Sequence, residues 1–416
     1  MRRRTPTPTI APIFLASLTS LTAACGSDAG SSATWSGTVD TLSDGRVVVS
    51  SDAPVWPDES RPSLTEELRI GSTMGDGPEA FGDVEDLLVD DAGRIYVLEG
   101  QAQEVRVFDS GGAWLHTIGR RGEGPGELKR AAAMGWGPDG VLRVVDYGNG
   151  RISDFRPEGE FVEGHRQEAG FVMFPWPGVF ERSGGLINIS PAVRDGEFNT
   201  VLIRHAPDME PVDTLAIPEY AGEQAFFEHS TDGGRIRATV PFTRGLSWDL
   251  DPRGYFWIAP DTGIYEILQV SLEGDTLLTI RRPAEKHPVT RAEIDSAIAG
   301  LEWFTDQGGT IDRSEFPATK PVIRHVFAPG DGRVYVVPVT DEFGSGHLSG
   351  GTSLDVFDTS GYYLGRLELP EGMRTSDPEP VFRGDHVVAV VLDELDVPYV
   401  VRYRLTEPAF ASEEAT

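Results

Sequence analysis

Forty-seven residues separate two copies of one pattern, and that interval constrains the fold more than any other feature of the chain. The stretch from Asp90 to Leu128 reads as a turn, an apolar run from Arg94 to Leu98, a second from Val105 to Phe108, an Asp-Ser-Gly-Gly turn, a third run from Trp114 to Ile118, and a glycine-rich exit. Moved forward by one interval, Gly93 falls on Gly140, Phe108 on Phe155 and Gly112 on Gly159. Moved back, Gly122, Gly124 and Pro125 fall on Gly75, Gly77 and Pro78. Three turns and a strand end that agree at one offset define a repeat. A meander of short strands recurring every roughly forty to fifty residues is the sequence form of a propeller blade.

The same turn signal recurs at Gly185, Gly254 and Gly332, each followed by an apolar run: Leu186-Ile-Asn-Ile, Tyr255-Phe-Trp-Ile and Val334-Tyr-Val-Val. These runs, like Ile95-Tyr-Val and Leu142-Arg-Val-Val, are apolar on both faces, as strands packed between neighbouring sheets must be. Five blades follow from the five turns. A sixth is composite: 380–383, 386–392 and 399–405 are three strands lacking a fourth, and Glu67 to Gly71, with Leu68 and Ile70 just before a glycine exit, is a lone outer strand. Pairing the two closes a ring and removes the raw edges. The expected fold is all-β, a six-bladed β-propeller of four-stranded antiparallel blades, closed by an N-terminal strand in the C-terminal blade. Seven blades is the competing count, if the hairpin at Trp35 to Ser51 contributes to a blade of its own.

Two insertions interrupt the period. Residues 218–242, ending in Arg235-Ile-Arg-Ala-Thr-Val, predict a strand pair between the third and fourth blades. Residues 283–320 predict one inserted helix, with Thr290 and Glu293 as a capping box, Ile294, Ala297, Ile298 and Leu301 on one face, and Trp303 and Phe304 at its end. Such a helix either packs on the rim, caps an opening, or simply fills space.

Arg2 to Arg4, the apolar run Ile10 to Ala24 and Leu21-Thr-Ala-Ala-Cys25 form a secretory signal too short to span a bilayer. Small residues directly before a cysteine resemble the lipobox of bacterial lipoproteins, which implies lipidation of Cys25; Thr22 departs from that pattern, with Leu21 one place early. Cys25 is the single cysteine, so disulfide and redox chemistry are excluded. The domain plan is a lipoprotein signal peptide 1–25, a flexible tether 26–34, a hairpin and loop 35–66, the propeller 67–406 with its two insertions, and a disordered tail 407–416.

The pattern Asp-Ala-Gly-Arg-Ile-Tyr-Val, then Val-Arg-Val-Phe-Asp-Ser-Gly-Gly, then Ile-Gly-Arg-Arg-Gly-Glu-Gly-Pro-Gly-Glu-Leu resembles the NHL-type repeat of bacterial six-bladed β-propeller lipoproteins. The likeness is close over Ile70 to Phe161 and faint in later blades; Pro288-Val-Thr-Arg-Ala-Glu293 with Ala318-Thr-Lys-Pro321 also looks like an insertion of such lipoproteins. Proteins with this repeat include scaffolds that bind proteins or RNA, sensor ectodomains and a lyase acting on amidated peptides. The resemblance therefore implies a fold more sharply than a function.

Lys and Arg total 36 against 66 Asp and Glu, a formal charge of −30, and the only charges before Cys25 are three arginines. Such a body repels nucleic acid and anionic headgroups, so the membrane is met only through the lipid. Gly119-Arg-Arg-Gly-Glu-Gly-Pro-Gly126 is no phosphate loop: no Gly-Lys-Ser/Thr or helix follows, and Glu123 and Glu127 oppose phosphate, though Arg120 and Arg121 could face a ligand. The eight histidines, His116, His165, His205, His229, His287, His325, His347 and His386, form no paired metal motif, but a ring can gather distant ligands at its axis. Asp249-Leu-Asp251-Pro-Arg-Gly254 starts like a calcium loop without its closing acid and reads as a hairpin turn. Asp90-Asp91 and Asp393-Glu394 read as solvated turn carboxylates. The aromatic group Phe171, Phe174, Trp176 and Phe180 reads as blade core before a sugar platform, and Asn188-Ile-Ser as an irrelevant glycosylation signal. No nucleophile motif is present.

The expectation is a lipid-anchored, monomeric binding or scaffold module at the cell envelope, secreted across the inner membrane with the outer membrane or a periplasm-facing position preferred. Its partner would be an envelope protein, peptide or small polar ligand; no catalytic residue, metal or cofactor is assigned. The alternatives are a metal-dependent propeller enzyme of the lyase or lactonase kind, which requires three His, Asp or Glu side chains converging from inner strands, and a purely structural component.

Overall fold

The computed structural model describes residues 35–408 apart from 58–59, 74, 76, 168–175, 177, 195–196, 218–224, 232–233, 244–246, 261 and 341–351, and only the backbone of 191–194 and 197–200. These residues belong to the compact unit Ala33–Thr416. The signal segment, Cys25, the tether, Phe171, Phe174 and His347 lie outside the described residues, as does the tail from 409 onward.

Three strands come first: β1 (Ser36–Thr41), β2 (Val47–Ala53) and β3 (Ser63–Ile70). Blade 1 is β4 (Val84–Val89), β5 (Ile95–Glu99), β6 (Glu104–Phe108) and β7 (Trp114–Ile118); blade 2 is β8 (Ala131–Trp136), β9 (Leu142–Asp146), β10 (Arg151–Phe155) and β11 (Phe161–Arg166). Blade 3 is β12 (Val179–Phe180), β13 (Leu186–Arg194), β14 (Glu197–His205) and β15 (Pro211–Ala216). After a separate hairpin, β16 (Phe226–Thr231) with β17 (Gly234–Thr239), comes blade 4: β18 (Ser247–Leu250), β19 (Tyr255–Ala259), β20 (Glu266–Ser271) and β21 (Thr276–Arg281). Blade 5 is β22 (Ile323–Phe327), β23 (Arg333–Pro338), β24 (Ser353–Asp358) and β25 (Tyr363–Glu368). Blade 6 is β26 (Val381–Arg383), β27 (His386–Leu392) and β28 (Pro398–Thr406), with β3 as its outer strand. The fold is a six-bladed β-propeller.

Closure is visible in register and in packing. β3 runs antiparallel to β28 from Ser63↔Thr406 to Ile70↔Val400. It starts at Ser63, earlier than the sequence signal at Glu67, because Leu64 pairs with Leu405 and packs against the core between blades 5 and 6. Six apolar clusters fill the six gaps between adjacent blades; that between blades 6 and 1, for example, joins Ile70, Val388 and Val390 to Val84, Val97 and Phe108. The second strands lie inside these gaps on both faces, so Ile95 to Glu99 and Leu142 to Asp146 are buried throughout.

The N-terminal hairpin makes no blade of its own, which removes the count of seven. β2 pairs in parallel with β21, from Val47↔Leu278 to Ser50↔Arg281, and extends blade 4 to six strands. Val49, 1% exposed, drives this docking by joining Ile280 in the core between blades 4 and 5. In blade 3 the turn glycine also shifts by one: Gly184, at φ +84°, takes the left-handed position expected of Gly185.

The two insertions pack on each other. In the second, α1 (Arg291–Ala299) begins at the expected capping box, Thr290 with Glu293, but the chain breaks at Gly300 and restarts as α2 (Glu302–Asp306), so one expected helix is two. Phe227, Ala238, Val240 and Phe242 of the first insertion share a small core with Ala297, Phe304 and Phe316 of the second. Trp303 points away and is 47% exposed. Of the expected tail, Glu407 belongs to the body, ion-paired with Arg333.

Candidate functional site

The repeat first builds its own frame. Glu99 and Asp146, one interval apart and buried, end the second strands of blades 1 and 2. Glu99 accepts from the amides of Gly82 (2.8 Å), Asp83 (3.1 Å) and Ala102, and Asp146 from those of Lys129 (3.0 Å) and Asn149 (3.3 Å). Each carboxylate thus ties the chain entering a blade to that blade's second turn. The glycine-rich exit is held in the same way. Gly122 N–H donates to Leu128 O, Gly124 N–H to Glu127 Oε2 at 2.8 Å, and Arg151 Nη2 donates to the carbonyls of Gly124 and Glu127 at 2.6 Å. Arg120 pairs with Glu127 and Arg121 donates to Gln101 O, so neither a phosphate site nor a free arginine pair exists here.

Aromatic side chains lock the opposite turns. Asp90 accepts from Arg94 Nε and Tyr96 Oη, Asp251 from Arg253 and Trp257 Nε1, and Asp331 from Tyr335 Oη at 2.6 Å. Asp251 is therefore a hairpin anchor with no capacity left for calcium. Asp393 caps its own turn through the amides of Leu395 and Val397, and Asp91 is an exposed partner of Arg383. Asn188 is buried and bonded to Trp176, Tyr147 and Gln167, out of reach of modification.

The first strands enclose an axial cavity of about 590 Å³. It extends from Glu85 and Asp377, near the blade entries, to the first turns at Arg182, Pro252 and Gly330. Seven carboxylates line it: Glu85 and Asp86 from blade 1, Asp249 from blade 4, Asp377 and Glu379 from the entry to blade 6, and, at the first turns, Glu181, paired with Arg204, and Asp331, bonded to Tyr335; Arg182 and Arg383 are the arginines on the wall. His325 of blade 5 is the histidine among the lining residues, its Nε2 2.9 Å from Glu379 Oε1. Apolar walls come from Leu88, Met134, Trp136, Trp176, Phe180 and Phe382. Trp176 and Phe180, whose rings lie 5.5 Å apart, thus belong to the cavity wall as well as to the packing between blades 2 and 3. Phe180 can lie there because residue 135 is glycine; a Cβ at that position would stand 2.1 Å from the ring.

Two of the acids also bridge blades. Asp86 accepts from the Met134 amide at 2.6 Å, joining blade 1 to blade 2, and Asp249 from the Ala328 amide at 2.8 Å, joining blade 4 to blade 5. Burial raises the affinity of Glu85, Asp86, Asp249, Asp377 and Glu379 for a proton, and crowding adds to it. Glu85 is pushed up to about 7, with Asp83 and Asp377 beside it; Asp86 rises to about 7 in spite of its backbone donors; Glu379 rises to about 8 in the field of Asp377 and Asp86. Asp249 and Asp377 move upward as well. A cation entering the cavity relieves both causes at once, supplying charge where water is scarce.

A preformed axial metal centre is absent among the described residues. The trio placed within ligand reach, Asp154, Glu163 and His165, lies on the outer strands of blade 2, away from the axis, and its Asp154 is already paired with buried Arg143. Of the remaining described histidines, His116 contacts Pro157 O and His386 pairs with Glu67.

A family model described as a 6-bladed beta-propeller, DUF5128, matches residues 78–153, which span blade 1 and most of blade 2. No curated protein matches the chain. Among solved structures it is similar to virginiamycin B lyase from Staphylococcus aureus, at 10% identity over 83% of this chain and all of that one, with a TM-score of 0.42. It is also similar to a member of the duf4221 family from Bacteroides vulgatus, at 11% identity over 84% and 100% of the two chains, TM-score 0.41. The PQQ-bound form of aldose sugar dehydrogenase from Streptomyces coelicolor matches at 10% identity over 85% and 100%, TM-score 0.41.

Proposed function

We propose that this propeller is a binding module of the bacterial cell envelope, an NHL-type lipoprotein held by a lipid on Cys25, and that its axial cavity receives a cationic group of a small ligand or peptide. The observation that carries this reading is the cavity lining: seven carboxylates against two arginines, with four aromatic rings, around a space of about 590 Å³. Carboxylates attract an ammonium or guanidinium group, and aromatic faces accommodate it when it sheds water. The overall charge of −30 draws such a ligand in from a distance. Secretion, anchoring and an outer-membrane or periplasm-facing position follow from the leader pattern; in this reading the protein acts as a monomer and contacts the membrane through the lipid alone.

The test uses putrescine, tetramethylammonium and calcium chloride as probes, with sodium chloride at matched ionic strength, and follows melting temperature at two pH values. The expected result is a saturable rise, larger at pH about 8.5 than at about 6 because deprotonated carboxylates bind the cation, and reduced in Glu379→Gln. Responses no greater than that to sodium chloride would remove the cavity as the site. A propeller enzyme is the second reading, favoured by the contact of His325 with a carboxyl that holds its proton near neutral pH. A tightly held equivalent of metal, found by elemental analysis of the purified protein, would support it over simple binding.

A further inference from the structure

A second cavity, of about 280 Å³, lies between the chain leaving β2 and the outer edges of blades 4 and 5. In a protein with nearly twice as many acids as bases, three arginines line it: Arg61, Arg282 and Arg366. Arg282 and Arg366 also line an adjoining cavity of about 490 Å³ and so stand between the two spaces.

Both guanidinium groups are fixed from behind by one carboxylate. Asp355 on β24, with no exposed surface, accepts from Tyr265 Oη (2.9 Å), Tyr363 Oη (3.1 Å) and Arg366 Nε (3.2 Å), and pairs with Arg282 Nη2 at 3.2 Å. The Arg282 guanidinium sits between the rings of Tyr265 and Tyr363, 4.8 and 4.7 Å from their centroids. Its Nε is buried without a hydrogen-bond partner. Arg366 commits Nε to Asp355, and its Nη groups have no partner among the described residues. One buried negative charge thus faces two oriented positive ones. Arg61 adds a third, tied loosely to Glu368 at 3.9 Å with both side chains more than half exposed. Asp52 is the acid on the cavity wall.

We infer that this cavity is a binding site for a small oxyanion, a carboxylate or phosphate group, held by Arg282 and Arg366. The planar guanidinium presents paired donors to such a group, and a rigid, already oriented pair loses little freedom on binding. A structural role alone would leave the spare donors of Arg282 and Arg366 pointing at water or nothing. An oxyanion in the cavity meets the donors that reach it, the Nη groups of Arg366 first, while the buried Nε of Arg282 is not among them. The site is distinct from the axial cavity and does not depend on what that cavity binds.

The test titrates the purified full chain with inorganic phosphate and, separately, acetate, by calorimetry, with sodium chloride at matched ionic strength as reference. Saturable binding of either supports the site, phosphate assigning a tetrahedral oxyanion and acetate a planar carboxylate. Arg366→Gln is expected to weaken that binding roughly tenfold or more, and Arg366→Lys to fall between, since it keeps the charge without the fork. Arg120→Gln, which removes a charge from an exposed exit loop, is expected to leave it unchanged. No saturation beyond chloride, equal binding in Arg366→Gln, or equal losses in Arg366→Gln and Arg120→Gln would each overturn the inference; circular dichroism confirms that the variants compared are folded.

Discussion

Glu379 is confined near the axis with Asp377 and Asp86 close by, and these raise its affinity for a proton; it also meets His325 Nε2 at 2.9 Å. Glu379, pushed up to about 8, and Glu85 and Asp86, pushed up to about 7, stand above the values of about 4.3 and 3.9 for an unfolded glutamate and aspartate. The folded protein therefore holds protons that the unfolded chain releases. The stability linked to these groups is complete below the unfolded value and is lost as pH rises through about 7 to 8. Without ligand, the melting temperature is expected to fall between pH about 5.5 and 8.5, and to fall less in Glu379→Gln; a wild-type profile that is flat or rising over this window would contradict the assignment. The residues concerned show why the fold was more legible in the sequence than the site. Gly93 and Gly140 announce themselves because a turn with positive φ strongly favours glycine, whatever surrounds it. Asp86, Asp249 and Glu379 carry no such mark. Asp86 follows Glu85, Asp249 stands two residues before Asp251 in a stretch that reads as a turn, and Glu379 stands two after Asp377, so each looks like an ordinary acidic turn or strand end; the three are far from one another along the chain, and only the closing of the ring brings them to one space.

At the level of elements, the short first strands were the hardest to read. β8 is Ala-Ala-Ala-Met-Gly-Trp and β12 has two residues, so neither carries an alternating pattern. In β8 three alanines and a glycine stand where branched residues mark a strand elsewhere, and Gly135 leaves room for the Phe180 ring. The parallel docking of β2 on β21 was equally hidden, since it depends on where the hairpin lands and not on its own composition. The capping box of α1 was readable because it is local. Glu293 in that box is held at about 2: burial opposes ionisation, but Lys320 Nζ at 2.6 Å and the Thr290 amide and hydroxyl overcome it. Glu293→Ala removes the cap and the ion pair with Lys320, a loss of about 1–2 kcal/mol. Hydrogen exchange should quicken in β16, β17, α1 and α2 while the blades keep their protection. Equal loosening of blade and insertion would show instead that the insertions brace the ring.

For the whole molecule, six apolar gaps in a closed circle make each blade's stability depend on its neighbours. Ile70, 4% exposed in the gap between blades 6 and 1, tests this. Ile70→Ala is expected to lower the unfolding free energy by about 2–5 kcal/mol in one transition, followed by tryptophan fluorescence that includes fully buried Trp257 of blade 4. Separate transitions would mean that the blades unfold independently. The pairing of Ile70 with Val400 also sets an order of events in time. Synthesis delivers β3 before blades 1 to 5 and its partner β28 after them, and any passage through a membrane as an unfolded thread keeps that order. Until the last strand arrives, β3 waits with its hydrogen-bonding groups unfilled and five finished blades form an open arc. The final segment works as a latch, and the interval before it engages is when a nascent chain of this kind is most exposed to proteases and to other copies of itself.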